Sequence, residues 1–361
     1  MPTSAPRPDL RALRPARVCV IKPSALGDVV NAFTCLSALR AHWPAASFTW
    51  VINKSLLGLV EGHPQIDAVV TYDRARAGIG ARGILGFGRF LGELRRPGFD
   101  LTIDLQGLLR SGIMTAATGA AVRVGLADAR EGATFFYTHR VAPPGGLNEA
   151  HAVDRLLAVS AAFGADVPGP GAALAVGEAD RAWARQALVG VARPTLGLNL
   201  GARWETKRWP PGHFAEVARR AVQTRGAGLF AVGAPEDRPL VEELTARLAP
   251  IPVRDLCGMT TLPQLAALAA GADVLLSNDT GPLHLAAAAG TRVVGVYTCT
   301  SPALNGPCGP HALAVMSRVA CAGSYHVRCP RLLECMDELA PDRVWPAVLA
   351  QLDAASGTTA A

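Results

Sequence analysis

The chain has 361 residues, half of them hydrophobic, and a formal net charge of +6 at neutral pH. That length fits two domains of ordinary size, each with enough apolar residues for its own core. The basic residues are scattered and lack an accompanying aromatic stacking platform, so we expect an anionic partner other than nucleic acid. The apolar runs are short and interrupted by Gly, Pro or charge, which argues against a transmembrane helix.

The amino-terminal segment is rich in arginine and lacks the apolar stretch of a secretory signal. We expect residues 1–16 to be a disordered extension, with weak electrostatic attachment to the inner face of a membrane as the alternative. The default location is the cytoplasm, where thiols stay reduced.

Two of the eight cysteines, Cys19 and Cys257, lie in strand-like apolar runs and are predicted core residues. Four others lie close together in sequence but form no CxxC pair, so their spacing does not favour a zinc site. These four are Cys308, Cys321, Cys329 and Cys335.

Strand-like and helix-like segments alternate in the first part of the chain. Helical spacing of apolar residues runs through Gly27–His42 and again near Phe90–Arg96. Short strands that are apolar throughout, separated by helices, are typical of a parallel, doubly wound sheet. The predicted strands are Arg17–Lys22, Phe48–Asn53, Ala68–Tyr72 and Leu101–Leu105.

A Pro- and Gly-rich stretch, Asp166–Ala172, predicts a linker, and the alternation then begins again. The sequence therefore predicts an α/β protein with a first domain at 17–170 and a second at 171–353. Its ligand cleft is expected between them, at the carboxyl ends of the strands. Residues 354–361 are expected to fray, and the C-terminal helix could pack back on the first domain. The predicted strands of the second domain are Thr195–Leu200, Gly228–Val232, Val253–Leu256, Val274–Ser277 and Arg292–Tyr297. Its predicted helices are Gly212–Arg225, Glu236–Leu248, Leu262–Ala270, Gly281–Ala289 and Pro341–Leu352.

The motif KPSALGD, Lys22–Asp28, follows the first strand and opens a helix. Gly27 permits a tight turn there, and backbone N–H groups at the helix start can receive an anion or a hydroxyl. Helix capping by Ser24 or Asp28 explains the same residues equally well. The motif is neither GxGxxG nor a Walker loop, so a dinucleotide in its standard pose is not expected.

The motif NDTGPLH, Asn278–His284, also follows a strand and opens a helix. The backbone N–H groups of Thr280, Gly281 and Leu283 and the helix dipole favour negative charge there, and Gly281 lets a phosphate approach the backbone closely. His284 would point toward the same ligand. The alternative is again a plain helix cap, supplied by Asp279 or Thr280.

Two further loops follow strands of the second domain. In Gly201–Pro210, Lys207 with its neighbouring arginines could neutralise a diphosphate, or the loop could simply be solvated. In Gly233–Asp237, an acidic residue just past a strand end is well placed for ribose hydroxyls. No metal-ligand set, DxD or GxSxG motif stands out, so we expect neither a metal cofactor nor a serine-hydrolase site.

Seven motifs occur in one order along about residues 17–350. They are KPSALGD (22–28), DLTIDLQGLLRSG (100–112), HAVDR (151–155), TKRWP (206–210), GAPED (233–237), SNDTGPLHLAAA (277–288) and CMDELAPDRVW (335–345). In this set the chain resembles the ADP-heptose:lipopolysaccharide heptosyltransferases of glycosyltransferase family 9. NDTGPLH together with the amino-terminal GD is the specific part of the resemblance, and the other motifs support it.

The resemblance implies a GT-B fold, in which two Rossmann-like domains face each other across a cleft. It also implies inverting, metal-independent transfer of heptose from ADP-L-glycero-D-manno-heptose to the Kdo-bearing inner core of lipopolysaccharide. Asp28 would be the general base, and Lys207 would neutralise the departing ADP. The residues implied in donor binding are Asp279, Thr280, Gly281, His284, Gly201 and Asp237, with Glu236 as the alternative ribose ligand.

The resemblance is strongest to the branch that adds the first heptose to Kdo, an acidic sugar. It implies Arg130 as an acceptor-facing arginine, with Arg110, Arg123 and Arg140 as possible partners. Ser24, Ala25 and Gly27 would line the acceptor side of the GD turn. The alternatives are a GT-B enzyme with another donor or acceptor, including a second-heptose transferase or an epimerase, and a non-catalytic member that only binds the sugar nucleotide. Peripheral contact with the inner membrane is compatible with each of them.

Overall fold

The structure is a computed structural model, and it describes residues 8–73, 81–145, 149–165 and 174–358. The chain divides into two compact units, Met1–Ala175 and Val176–Ala361. The predicted linker, Asp166–Ala172, lies outside the described residues.

The first unit contains one parallel sheet of six strands in the order β3-β2-β1-β4-β5-β6. The strand order reverses beside β1, which is where a doubly wound sheet opens a crevice at the carboxyl ends of its strands. The strands are β1 (Arg17–Ile21), β2 (Ser47–Asn53), β3 (Ala68–Tyr72), β4 (Leu101–Asp104), β5 (Val122–Leu126) and β6 (His139–Val141). The helices are α1 (Leu26–His42), α2 (Ala81–Arg95), α3 (Leu109–Ala117) and α4 (Ala152–Ala162).

The centre of this sheet is buried on both faces. In β1 the four residues from Val18 to Ile21 have no exposed surface. Central strands of a parallel sheet are covered by helices on both sides, and this requires such continuous apolar runs. Cys19 therefore lies in the core, as predicted. The rigid centre places the end of β1, and the turn that follows it, at one edge of the sheet.

The second unit repeats this architecture with strands in the order β12-β11-β10-β7-β8-β9. Its reversal lies between β10 and β7, so the loops after these two strands meet at one edge. The strands are β7 (Thr195–Asn199), β8 (Gly228–Val232), β9 (Val253–Asp255), β10 (Val274–Asn278), β11 (Arg292–Tyr297) and β12 (Ala312–Met316). The helices are α5 (Glu178–Ala187), α6 (Pro211–Arg225), α7 (Arg238–Leu248), α8 (Leu262–Gly271), α9 (Gly281–Ala288), α10 (Pro302–Asn305), α11 (Glu334–Glu338) and α12 (Pro341–Thr358).

The C-terminal helix α12 packs against α6 and β11 of the second unit. Its residues Val344, Val348 and Leu352 recur at a spacing of four and are fully buried, which is the pattern of a helix with one apolar stripe. Just before it, the Trp209 indole N–H donates to the carbonyl of Leu339 over 2.7 Å.

Both predicted ends of the chain differ from the structure where it describes them, at residues 8–16 and 354–358. The described part of the amino-terminal extension is ordered: Leu10–Ala12 forms a 3-10 helix, and the Ala16 N–H donates to the Asp100 carboxylate over 2.9 Å. The predicted frayed tail begins too early, because α12 continues to Thr358. Its alanines and serine are helix-compatible residues that continue an already packed helix.

The predicted strands of both sheets are confirmed, and their ends agree with the structure to within one or two residues. Three strands were missed: β5, whose apolar run is interrupted by Arg123, and the edge strands β6 and β12. The edge strand β6 has three residues, two of them polar, so it lacks the apolar run by which a central strand is recognised. The edge strand β12 is an apolar run that the sequence prediction passed over.

Candidate functional site

A buried ion pair lies at the carboxyl end of β10. The Lys207 ammonium is 2.7 Å from Oδ2 of Asp279, although 72 residues separate them. Only 6% of the Asp279 side chain is exposed, compared with 19% of Lys207. The lysine is therefore the member of the pair that can still meet a ligand, and the aspartate holds it in place.

Two more side chains surround the Asp279 carboxylate. The Thr300 hydroxyl donates to Oδ2 over 2.6 Å, and Nε2 of the buried His284 lies 3.7 Å from Oδ1. Burial by itself would raise the pKa of Asp279, but the donors His284, Lys207 and Thr300 outweigh it and lower the pKa to about 2. Asp279 is consequently a fixed negative charge at neutral pH.

Helix α9 begins at this cluster without a side-chain cap. The Thr280 hydroxyl, at the N-cap position, instead accepts from Nδ2 of Asn199 over 2.9 Å. The carboxylate of Asp279 is engaged by Lys207. The alternative interpretation of NDTGPLH as a plain helix cap is therefore wrong, because both candidate caps bond elsewhere. The positive end of the helix dipole is left open to an anion.

The site differs from the prediction in two details. The Leu283 N–H, expected to face a ligand, donates to the Thr280 carbonyl over 3.1 Å. His284 faces Asp279, and its Nδ1 is a buried nitrogen without a hydrogen-bond partner among the described residues. Pro282 occupies the first turn, where its missing N–H costs nothing.

The loop that carries Lys207 is anchored to its neighbours by backbone and side-chain bonds. Nδ2 of the buried Asn278 donates to the Leu200 carbonyl over 2.7 Å, and its Oδ1 accepts from the Trp209 N–H over 3.1 Å. The Lys207 ammonium also lies 4.9 Å from the centre of the Trp204 ring. The alternative interpretation of Gly201–Pro210 as a merely solvated loop is therefore wrong.

Gly201 lies against Asp237 across the end of the sheet. A Cβ at Gly201 would come within 2.0 Å of Oδ2 of Asp237, so this position accepts no side chain without moving the carboxylate. The same oxygen accepts the Ala234 N–H over 2.9 Å. Burial, the largest effect, raises the pKa of Asp237. Its neighbour Glu236 is exposed, so Asp237 is the acidic residue that belongs to this edge.

In the first unit, Asp28 lies in the first turn of α1 with half of its side chain exposed. Its Oδ2 accepts the Ala25 N–H over 3.2 Å and is 3.8 Å from the ammonium of the buried Lys22. The capping interpretation of Asp28 is thus correct for one oxygen. The exposure of the carboxylate leaves it accessible to a substrate hydroxyl as well. Gly27 is buried at this turn and Ala25 is exposed.

A pocket of about 490 Å³ lies beside this turn, at the carboxyl ends of β1, β3 and β4. Ser24 lines it, and the Ser24 N–H donates to Oε1 of Gln106 over 3.3 Å. Arg110 also lines it and donates to the Tyr72 hydroxyl over 2.7 Å. The polar lining comes from Ser24, Asn53, Tyr72, Gln106, Arg110, Ser111 and Glu131.

The predicted arginines separate into two groups. The exposed Arg130 is tied to this region, because its N–H donates to the Gly107 carbonyl over 2.8 Å and its neighbour Glu131 lines the pocket. The prediction that Arg123 faces the acceptor is wrong. Arg123 lies near the start of β5, and its guanidinium donates to the carbonyls of Phe136 and Ala120, each over 2.8 Å. It is therefore a structural residue. Arg140 is exposed on the edge strand β6.

The sequence prediction missed several polar residues of these two regions. At the start of α9, Asn199 forms a hydrogen bond with Thr280, and Thr300 forms one with Asp279. At the pocket, Tyr72 accepts a hydrogen bond from Arg110, and Gln106 accepts one from Ser24. Asn199 and Tyr72 are the last residues of β7 and β3, so a polar residue at a strand's carboxyl end was the available signal.

The described residues contain no helix that is long and apolar enough to cross a membrane. Nor do they contain a group of three or more His, Cys, Asp or Glu side chains arranged to hold a metal ion.

Comparison with known sequences identifies the family. Residues 87–333 match the model of glycosyltransferase family 9 (heptosyltransferase). The chain is 30% identical to lipopolysaccharide heptosyltransferase 1 of Pseudomonas aeruginosa, covering 87% of each chain. It is 28% identical to the lipopolysaccharide core heptosyltransferase OpsX of Haemophilus influenzae, covering 81% of this chain and 82% of that protein.

Solved structures show the same fold. A glycosyltransferase family 9 structure from Veillonella parvula superposes with a TM-score of 0.79 at 22% identity, covering 95% of this chain and 98% of that one. The Escherichia coli heptosyltransferase WaaC with ADP superposes with a TM-score of 0.72 at 24% identity, covering 93% and 99%. These structures confirm the predicted GT-B fold class. Together with the family match, they identify this chain as a member of glycosyltransferase family 9, the heptosyltransferases, and hence as a transferase.

Proposed function

We propose that this protein transfers heptose from ADP-L-glycero-D-manno-heptose to the Kdo-bearing inner core of lipopolysaccharide, with inversion and without a metal. The observation that carries the proposal is the Lys207–Asp279 pair at the uncapped start of α9. Relatives whose names specify lipopolysaccharide heptosyltransferase activity support the donor and acceptor classes.

On the donor side, the diphosphate needs positive charge as its bond to the sugar breaks. An ammonium group has three N–H donors, and Lys207 directs one of them to Asp279, which leaves two for phosphate oxygens. The start of α9 adds the partial positive charge of its dipole beside Gly281. A lysine and a helix terminus together supply the stabilisation that a metal ion supplies in other transferases.

The nucleoside end of the donor fits the edge formed by Gly201 and Asp237. The missing side chain at Gly201 makes room for the Asp237 carboxylate at this edge. The Asp237 carboxylate, just past the end of β8, can accept hydrogen bonds from ribose hydroxyls. We therefore assign the ribose to Asp237 in preference to Glu236.

On the acceptor side, Asp28 is the proposed general base. The acceptor oxygen attacks the anomeric carbon on the face opposite the diphosphate, the bond from that carbon to the diphosphate oxygen breaks, and Asp28 takes the hydroxyl proton. The ammonium of Lys22, 3.8 Å away, helps to hold the carboxylate in place. The adjacent pocket offers the Arg110 guanidinium to an acidic sugar.

A non-catalytic binding member is the less favoured alternative. Such a protein would need the donor cluster but not an exposed carboxylate at the GD turn. Here the Asp28 carboxylate is half exposed at that turn, which is the accessibility that a base requires.

The test is an assay of the purified protein with ADP-heptose and lipid A bearing Kdo, with the product linkage determined. We expect one heptose to be added to Kdo with inverted anomeric configuration, and we expect EDTA to leave the rate unchanged. Transfer only to an acceptor that already carries heptose would move the protein to the second-heptose reaction. Activity lost in EDTA and restored by magnesium would contradict the metal-independent mechanism.

A further inference from the structure

Helix α2 exposes large aliphatic side chains to solvent. Ile84 is 71% exposed and its neighbour Leu85 is 63% exposed. These are the only two consecutive residues among the exposed large apolar side chains of the described chain. Isolated apolar residues are common on protein surfaces, whereas adjacent ones more often mark a contact surface.

The two faces of α2 have different compositions. Gly83, Phe87, Phe90 and Leu94 recur at spacings of four and three, and the three large side chains of this set pack on the core of the first unit. The outer face carries Arg82, Leu85 and Arg89 at spacings of three and four, so these side chains lie in one row. We call Arg82, Ile84, Leu85 and Arg89 the α2 outer face.

The α2 outer face borders the pocket proposed for the acceptor. Ile84 lines that pocket, as does Leu109 at the start of α3, which is 45% exposed. The apolar part of the pocket wall is thus continuous with the exposed aliphatic surface. A saccharide bound in this pocket would have its remaining part, including any lipid anchor, close to α2.

The charge of this region is positive. Residues 81–96 contain four arginines (Arg82, Arg89, Arg95, Arg96) and one acidic residue (Glu93), a net charge of +3. Within the described chain, neither Arg82 nor Arg89 forms an ion pair with a carboxylate. Guanidinium groups beside exposed aliphatic side chains match a surface that offers phosphates above hydrocarbon.

We propose that the α2 outer face docks on an anionic lipid bilayer, with Ile84 and Leu85 entering the headgroup boundary and Arg82 and Arg89 contacting lipid phosphates. The inference rests on the proposed function only in that a lipid-borne acceptor explains why the pocket opens beside this face. It places membrane contact on the first unit's α2 and not on the arginine-rich extension at residues 1–16.

The test is flotation of the full-length protein with vesicles of phosphatidylglycerol and phosphatidylethanolamine, compared with vesicles of phosphatidylcholine alone. The test variant is Leu85→Gln/Arg89→Gln, because neither residue lines the pocket. Loss of one aliphatic and one guanidinium contact should weaken binding to the anionic vesicles about tenfold. The control is Val189→Gln/Arg181→Gln, which removes an exposed aliphatic residue and an exposed arginine from the second unit and should bind like the wild type.

Transfer assays separate the two proposals. With a deacylated, soluble acceptor, Leu85→Gln/Arg89→Gln should match the wild type, and with an acceptor embedded in anionic vesicles it should be several-fold slower. Absence of transfer to either acceptor by the wild type would count against the proposed function, while flotation would still report on docking.

Three results would overturn the docking proposal. One is equal flotation of the wild type and Leu85→Gln/Arg89→Gln on anionic vesicles. Another is equal binding of the wild type to neutral and anionic vesicles. The third is a dimer in sedimentation that this substitution abolishes, which would assign the α2 outer face to a second copy of the chain.

Discussion

The two regions that carry the proposed chemistry are built differently. Around α9, a lysine, a threonine and a histidine surround a carboxylate that is 6% exposed, and bonds to neighbouring strands hold the lysine loop. At the start of α1, the Asp28 carboxylate is 50% exposed, and among the described residues it has one backbone hydrogen bond and one ammonium neighbour.

The difference corresponds to two chemical tasks. Stabilising charge that develops on a leaving group requires donors that are already in position, because their reorganisation would cost free energy during the reaction. A base that removes a proton from an incoming hydroxyl must instead be accessible and ionised. Variants of the two regions should therefore fail in different ways.

The largest effect on turnover is expected at the start of α1, where Asp28 is exposed. Asp28→Asn keeps an oxygen that can accept the Ala25 N–H, so α1 should begin as before. It removes the proposed base, and turnover should fall by about 10²–10⁴-fold, the usual contribution of general-base catalysis. Single-turnover assays with saturating donor measure this, and a loss below about tenfold would be too small for a base.

The next largest effect on turnover is expected at the buried cluster beside α9. Lys207→Met should lower turnover by about 10²–10³-fold, as removal of a preorganised oxyanion donor does. It also leaves the Asp279 carboxylate buried without its ammonium partner, which should destabilise the second unit.

A double variant separates these two consequences. Lys207→Met/Asp279→Asn removes the unpaired charge and should regain much of the thermal stability without regaining activity. Recovery of turnover in the double variant would show that Lys207 acts only by neutralising Asp279.

Acid stability should distinguish the buried carboxylate. The pKa of Asp279 is lowered from 3.8 to about 2 in the folded protein. A depressed pKa stabilises the fold above the unfolded-state value, and this stability is lost as the pH falls through the folded-state value. The contribution of about 2 kcal/mol should disappear between about pH 4 and pH 2.

Denaturant unfolding of the wild type and Asp279→Asn over this range measures the contribution. The variant should show the shallower dependence of unfolding free energy on pH. Parallel curves for the two proteins would mean that Asp279 is not held as a paired anion.

The smallest effect on the kinetics is expected at the edge formed by Gly201 and Asp237, where we place the ribose. Gly201→Ala places a methyl group where Oδ2 of Asp237 lies 2.0 Å away, so the carboxylate must move. The donor KM should rise about tenfold with little change in kcat, because ribose contacts are equally present in the ground and transition states. Gly271→Ala, where a Cβ meets nothing within 4 Å, is the matched control. Equal KM values for the two variants would remove Asp237 from the ribose site.

The sequence predicted the central strands and the positions of both motifs, because buried parallel strands have continuous apolar runs and the motifs follow them directly. It could not predict which groups pair, since partners such as Lys207 and Asp279 lie 72 residues apart. Capping and ligand binding use the same residue types at a helix start, so only the bonds of Thr280 and Asp279 decided against the cap. Arg123 was misassigned because a sequence does not show that a guanidinium is already bonded to backbone carbonyls.

The central claim is that the two regions divide the work, with Lys207 serving the nucleotide and Asp28 serving the acceptor. Calorimetric titration of ADP into Asp28→Asn and Lys207→Met tests it most directly, since ADP contains the diphosphate but no acceptor group. We predict that Asp28→Asn binds ADP with the affinity of the wild type and that Lys207→Met binds it at least tenfold more weakly. Equal loss of ADP affinity in both variants, or no loss in Lys207→Met, would contradict this division.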